Sequence, residues 1–333
     1  MNRLAIVPPD EQPDDSLKAA HDQRKDAEHE LDRDTADYLR LPFPTLTRLL
    51  GDWSPGELHF GCAFSGGGKT LFTMNLELAL LKRGARVYHI GLETRPALVR
   101  LHLACLKHGA YYGDVVDGTA KLDPDWPELR ERLREDVRRQ AVNETFIVND
   151  AEWLDVRGLN RALEEAAGLD VDLVVIDHVD HLAVSEHTPL YQASVATIRQ
   201  LNTRAITLGL RVFALSQLNN DAVRGDRLAV HFPPRPEQVF MGGHKRQVAT
   251  TMLGIYRPLR DDAAPEELKA VRDGKAEPST VIAPHVMGLV CMKHRNQGTR
   301  EGKREVLDVV RGQLRDISEK DRYSTDYDGQ RRI

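Results

Sequence analysis

Ten consecutive residues carry the strongest chemical signal in the chain: Gly61-Cys62-Ala63-Phe64-Ser65-Gly66-Gly67-Gly68-Lys69-Thr70. An apolar run precedes them and a helical pattern follows. A glycine-rich turn in that setting wraps a phosphate chain with successive backbone N–H groups and aims a helix N-terminus at the anion. It also supplies one lysine charge and one hydroxyl for magnesium. Ser65, Gly66, Gly67, Gly68, Lys69, Thr70 and Leu71 are therefore the expected contacts of a nucleoside triphosphate. Lys69 is expected on the β and γ phosphates and Thr70 on Mg²⁺. The common form of such a loop opens with glycine, where this chain has Ala63.

A metal-bound triphosphate needs a second carboxylate at the end of a neighbouring buried strand. Leu173-Val-Val-Ile-Asp177-His-Val-Asp180 provides one. Asp177, the first acid after the apolar run, is the expected magnesium ligand, and Asp180 reads as a loop carboxylate. Hydrolysis also needs a group to orient or deprotonate water. Glu93 lies just past Val87-Tyr-His-Ile-Gly-Leu92, on the rim where parallel sheets bind ligands. Gln217 ends another apolar run, Phe213-Ala-Leu-Ser-Gln217, where a neutral amide can bond a γ-phosphate and signal its loss.

These residues need a scaffold, and from Gly56 onward short apolar runs alternate with amphipathic stretches. That alternation predicts an α/β fold with a mainly parallel central sheet flanked by helices. The expected strands are Leu58 to Ala63, Val87 to Gly91, Phe146 to Asn149, Leu173 to Asp177, Val212 to Ser216, Thr251 to Tyr256 and Val286 to Lys293. The expected helices are Thr70 to Lys82, Ala97 to His108, Pro127 to Gln140, Val156 to Ala167 and Leu190 to Leu208. Pro233 to Gly243 reads as an irregular loop and Asp261 to Pro284 as a charged surface insertion. The domain reading is an acidic linker or helix over residues 1–40, a nucleoside-triphosphatase domain over 41–310, and a poorly ordered polar tail over 311–333.

The 333 residues are 41% apolar and 29% charged, enough for a large core and unlike a disordered or fibrous chain. Three scattered cysteines lack CxxC spacing, so neither a disulfide framework nor a zinc knuckle is expected. No apolar run is long enough to span a membrane and the first residues turn acidic, so a soluble cytoplasmic protein is the expectation. The net charge of −5 lies wholly in residues 1–34, which hold ten acids and five bases. Any polyanion must therefore be held by local patches.

The four segments in this order resemble the RecA-like motor domain of the DnaB-type replicative helicases (superfamily 4). The loop form A-x-x-x-G-G-K-T, the L-E-T after the second strand, V-V-I-D-H and A-L-S-Q-L-N are similar to that family's blocks. So is Met292-Lys293-His-Arg295-Asn-Gln-Gly-Thr299. The resemblance covers roughly Leu41 to Val310. It implies a RecA-like P-loop NTPase that binds ATP and Mg²⁺ between subunits of a hexameric ring and moves 5′ to 3′ on single-stranded DNA. On that analogy Lys69, Thr70 and Asp177 hold Mg-ATP, Glu93 activates water and Gln217 senses the γ-phosphate. Lys293 and Arg295 would reach into the neighbouring subunit's site, where a planar, always ionised guanidinium stabilises the transferred phosphoryl group.

The matching DNA loop is Phe240-Met-Gly242-Gly243-His244-Lys245-Arg246-Gln247, in which Lys245 and Arg246 are expected to pair with phosphates. The chain departs from the family in this loop, in the insertion between Arg260 and His285, and in having only about 40 residues before the motor, where the family carries a primase-binding domain. Primase recruitment in the usual way is therefore not expected. A loader, or replication or mobile-element proteins, are the expected partners. The alternative function is a RecA- or KaiC-like ATP switch, or a recombinase-type ATPase, that binds DNA without unwinding it. A small-molecule kinase is a third reading, without an evident lid or acceptor pocket.

Overall fold

The computed structural model describes residues 37–142, 145–149, 155–182, 190–219 and 226–317. The chain divides between Tyr38 and Leu39, and every element below belongs to the second unit. The acidic linker expected over residues 1–40 lies almost wholly outside the described residues.

The elements follow as α1 (Pro44–Leu50), β1 (Leu58–Ala63), α2 (Lys69–Leu81), β2 (Val87–Gly91), α3 (Pro96–His108), α4 (Tyr112–Asp117), α5 (Trp126–Val142), β3 (Phe146–Val148) and α6 (Val156–Gly168). Then come β4 (Leu173–Asp177), α7 (Leu190–Leu208), β5 (Val212–Gln217), α8 (Gly242–Val248), β6 (Thr251–Tyr256), α9 (Pro265–Arg272), β7 (Val286–His294), β8 (Arg304–Val310) and β9 (Gln313–Asp316). The strands form one sheet in the order β3-β2-β4-β5-β1-β6-β7-β8-β9. Pairing is parallel from β3 to β6 and antiparallel from β6 to β9. This is the α/β, mainly parallel architecture expected.

The central strands read as unbroken apolar runs because the sheet is covered on both faces. Phe213 and Leu215 of β5 join a core beneath α1, α2 and α3, with Leu46, Phe72 and Leu103. Val212 and Ala214 join a second core beneath α6 and α7, with Leu163 and Leu201. All three cysteines are free and buried, as ordinary small core residues. No helix among the described residues is long and apolar enough to cross a membrane.

Two regions differ from the sequence reading. The tail expected beyond residue 310 begins with a strand. Arg311 and Gly312 both have positive φ (49° and 77°) and close a two-residue hairpin between β8 and β9. Leu314 then inserts into the core beneath α2. Replacing Leu314 by Ala should cost about 2–5 kcal/mol in denaturant unfolding if the hairpin is integral to the fold. The insertion expected as a loop contains α9, started by Glu267, whose carboxylate accepts the Ala264 N–H at 2.8 Å. Val271 packs there with Leu228 and Val281 in a small core of its own.

Candidate active site

Parallel strands β2, β4, β5 and β1 end at one edge of the sheet, and most of the expected nucleotide residues gather there. Gly91 lies opposite Asp177 in the β2–β4 register and Ala63 opposite Gln217 in the β1–β5 register. The phosphate loop bridges Ala63 to α2. Gly68 caps that helix at φ 97°, and a Cβ there would lie 2.9 Å from Met287 Cε. Gly66 also has positive φ (73°) and faces open space, so the backbone at that corner is bare.

The charged groups of the site are incompletely satisfied. Lys69 Nζ donates to Ala63 O at 3.4 Å. Burial pulls its pKa down, opposed by Asp177, Glu93 and Asp180. Asp177 is 4% exposed, and among the described residues no hydrogen bond or ion pair reaches its carboxylate. Burial pushes its pKa up, with His89 opposing that shift and Glu93 and Glu77 adding to it. An uncompensated carboxylate beside a lysine and a bare loop suits a magnesium-bound triphosphate, with Thr70 as the second protein ligand. Among the described residues no cluster of three or more His, Cys, Asp or Glu could hold an ion unaided. A metal here would therefore need the substrate's phosphate oxygens.

Glu93 follows β2 on a turn tied to β4 by Leu92 N–H donating to Asp177 O at 2.7 Å. It is 56% exposed at its side chain, with Oε2 3.5 Å from His178 Nε2. Burial, with His181 beside it, holds His178 down to about 4, so the imidazole is neutral at physiological pH. Glu93→Gln should retain ATP binding and lose turnover by about 100-fold, read by comparing analogue titration with phosphate release. Gln217 lines a cleft of about 340 Å³ with His178, Asp180, His181, Asn219 and Phe240.

Lys293 and Arg295 lie elsewhere. Because β7 runs antiparallel to β6, His294 pairs with Thr251 at the start of β6, and Thr251 pairs with His59 near the start of β1. The pair thus occupies the sheet edge opposite the chain's own phosphate loop. Lys293 Nζ donates to Arg246 O and to Ala249 O (2.6 Å), and Arg295 donates to Gln247 O (3.2 Å) and Val248 O. Both cations therefore close the C-terminal end of α8. Burial, then Arg295, pulls Lys293 down to about 8, so it keeps its charge at neutral pH.

The segment expected as a DNA loop is largely helix α8, and one of its residues is not where the sequence reading put it. Gly243 and Arg246 are exposed, Gly242 and His244 partly so, but Lys245 is 1% exposed. Its ammonium pairs with Asp180 Oδ1 and donates to Ser216 Oγ (2.9 Å) and Phe240 O (2.8 Å). All three donors are used, so Lys245 faces a carboxylate instead of solvent, and the expectation that it grips a phosphate is corrected. Asp180 lies in the turn after β4, as expected, but it is not a solvated carboxylate: its Oδ2 accepts Gln217 N–H at 2.7 Å and Ser216 Oγ–H at 3.1 Å. Sequence reasoning also passed over a buried pair behind Asp177, in which His89 Nδ1 lies 2.7 Å from Glu77 Oε1. Burial alone would lower His89, but Glu77 raises it overall. An acid inside an otherwise apolar helical face was the available signal.

Comparison with known proteins agrees with this fold. The family model for the DnaB-like helicase C-terminal domain matches residues 39–299. A solved DnaB-like replicative helicase, described with its interactions with primase, superposes with a TM-score of 0.67 at 15% identity, covering 93% of this chain and 68% of that one. A second solved structure, of an isolated ATPase domain, superposes with a TM-score of 0.65 at 16% identity, covering 93% of this chain and 100% of that one. No curated protein matches the sequence. With the phosphate loop, the strand-end acid and the sheet order in place, the chain belongs to the DnaB-like helicase C-terminal domain family, a family of helicase-type ATPases.

Proposed function

We propose that this chain is an ATP-driven motor on single-stranded DNA, working as a head-to-tail ring, hexameric by its family. One observation carries the reading. A nucleotide half-site lies at one edge of the sheet and two cations, Lys293 and Arg295, lie at the other. A surface and its complement on opposite sides of one protomer fit heterologous contacts that close into a ring.

In this mechanism the loop N–H groups from Ser65 to Leu71 hold the phosphates, and Lys69 neutralises the β and γ oxygens. Magnesium, held by Thr70 and Asp177 with the triphosphate, would supply further charge neutralisation at those oxygens. Glu93 takes a proton from water. The hydroxide attacks the γ-phosphorus, the bond to the bridging oxygen breaks, and ADP leaves. Gln217 bonds the γ-phosphate before that step and loses its partner after it. Arg295, with Lys293, reaches the next subunit's γ-phosphate. Gly242, Gly243, His244 and Arg246 contact the strand, and translocation runs 5′ to 3′.

The test is ATP turnover with and without single-stranded DNA, together with displacement of a strand from a forked duplex. Turnover indifferent to the strand would refute a motor. A second reading, an ATP switch that binds DNA without unwinding it, is favoured by the inward turn of Lys245, which removes one expected DNA charge. Stimulated turnover without strand displacement would select it.

A further inference from the structure

We propose that Lys245 is a positioning residue of the γ-phosphate sensor, joining α8 to the end of β5 so that nucleotide state at Gln217 reaches Lys293 and Arg295 across the sheet. The inference rests on the nucleotide reading above. It concerns a pair, Lys245 and Asp180, that lies 65 residues apart in sequence.

Helix α8 has a fixed joint at each end. Next to its start, Phe240 N–H donates to Gln217 O at 3.0 Å, at the nucleotide edge of the sheet. Past its end, Thr250 N–H donates to Leu58 O at 2.8 Å, at the opposite edge. The helix thus runs across the face of the sheet from one functional edge to the other. The near joint is reinforced from the middle of the helix by the Lys245 ammonium, shared among Asp180, Ser216 and Phe240. Asp180 in turn fixes the Gln217 backbone through the 2.7 Å bond to its N–H. The far joint is the set of carbonyls from Arg246 to Ala249 held by Lys293 and Arg295. A displacement of Gln217 therefore moves the anchor of α8, and the carbonyls at the end of α8 hold Lys293 and Arg295, the cations at the end of β7 presented to a neighbour.

A packing role alone accounts poorly for the ion pair. Val239, Val248 and Ala249 already bed this segment into the apolar core. A buried ion pair gains little over an apolar pair of similar volume, whereas removing one partner strands the other charge. The network also extends toward the water-activating group. His178 Nδ1 lies 3.7 Å from Asp180 Oδ2, and its Nε2 lies 3.5 Å from Glu93. Asp180 is thus the point at which α8, the sensor and the Glu93 side of the site meet.

The experiment uses the full chain and a double variant, Lys245→Met with Asp180→Asn, which removes both charges together. Amide hydrogen exchange over residues 242–248 is followed with and without a non-hydrolysable ATP analogue, alongside kcat and KM for ATP. The unaltered chain should slow its exchange there on binding analogue. The double variant should lose that response and about tenfold in kcat, while KM stays within about twofold. An exchange response and kcat equal to those of the unaltered chain would overturn the proposal. Ser216→Ala covers the case of a misfolded double variant, since it keeps both charges and removes only the hydroxyl between them. It should diminish the α8 response, and an undiminished response would also overturn the proposal. An unaltered chain that binds no analogue would instead remove the nucleotide reading, and this inference with it.

Discussion

Arg295→Ala should bind ATP as the unaltered chain does and hydrolyse it about 1000-fold more slowly or worse, the loss found when a guanidinium is withdrawn from a transferring phosphoryl group. Arg295 sits past the end of β7, at the edge where the parallel strands begin, and the phosphate loop sits where they end. Its own phosphate loop is therefore at the opposite end of the strands, and on the proposed reading a second copy receives the guanidinium. Arg295 remains exposed, with donors to spare beyond those engaged at Gln247 and Val248. The expected effect falls on turnover and not on affinity because the cation meets charge that develops during transfer. A mixing experiment separates this from a structural loss. With equal amounts of Arg295→Ala and Lys69→Ala subunits, about a quarter of head-to-tail junctions join an intact loop to an intact Arg295. Phosphate release should recover in proportion. A mixture no faster than its components would assign Arg295 to holding α8 alone.

Lys69→Ala should lower turnover by about 100- to 1000-fold and weaken analogue binding as well. The lysine stands among Asp177, Glu93 and Asp180, whose charges support its ionised form against the cost of burial. Its weak 3.4 Å bond to Ala63 O leaves the ammonium free to turn to a phosphate. Removing it takes away the positive charge proposed to face the γ-phosphate and one that, after the larger effect of His89, helps keep Asp177 ionised. Both losses work against a magnesium-bound triphosphate, so binding and chemistry fall together. Isothermal titration with analogue and a turnover assay on the same preparation measure the two parts. Tight binding with unimpaired turnover would remove the phosphate assignment of the loop.

The legible parts of the fold share one cause. β1 and β4 are buried along their whole length, so burial wrote continuous apolar runs that end at Ala63 and Asp177. β8 and β9 were illegible because they are only partly buried and break their apolar residues with charges. β8 opens on the exposed Arg304 and the half-buried Glu305 and carries the half-buried Asp308, and β9 is four residues long. Their hairpin turn, Arg311-Gly312, looked like the start of a polar tail. Helix α8 was hidden by its glycines, which suit a loop equally well.

Residue types and short spacings were enough to determine the glycine-rich turn between β1 and α2, the strand-end acid and the α/β class, because a lysine after three glycines, or an acid after four buried apolar residues, is set by its immediate neighbours. Tertiary structure alone decided that Lys245 faces Asp180, that Glu77 faces His89, and that Lys293 and Arg295 stand across the sheet from their own phosphate loop. The physical reason is that the free energy of an ionised side chain depends on what lies opposite it. For a basic residue in a basic stretch the sequence leaves open both water and a buried carboxylate, and only the packed fold brings the second within reach.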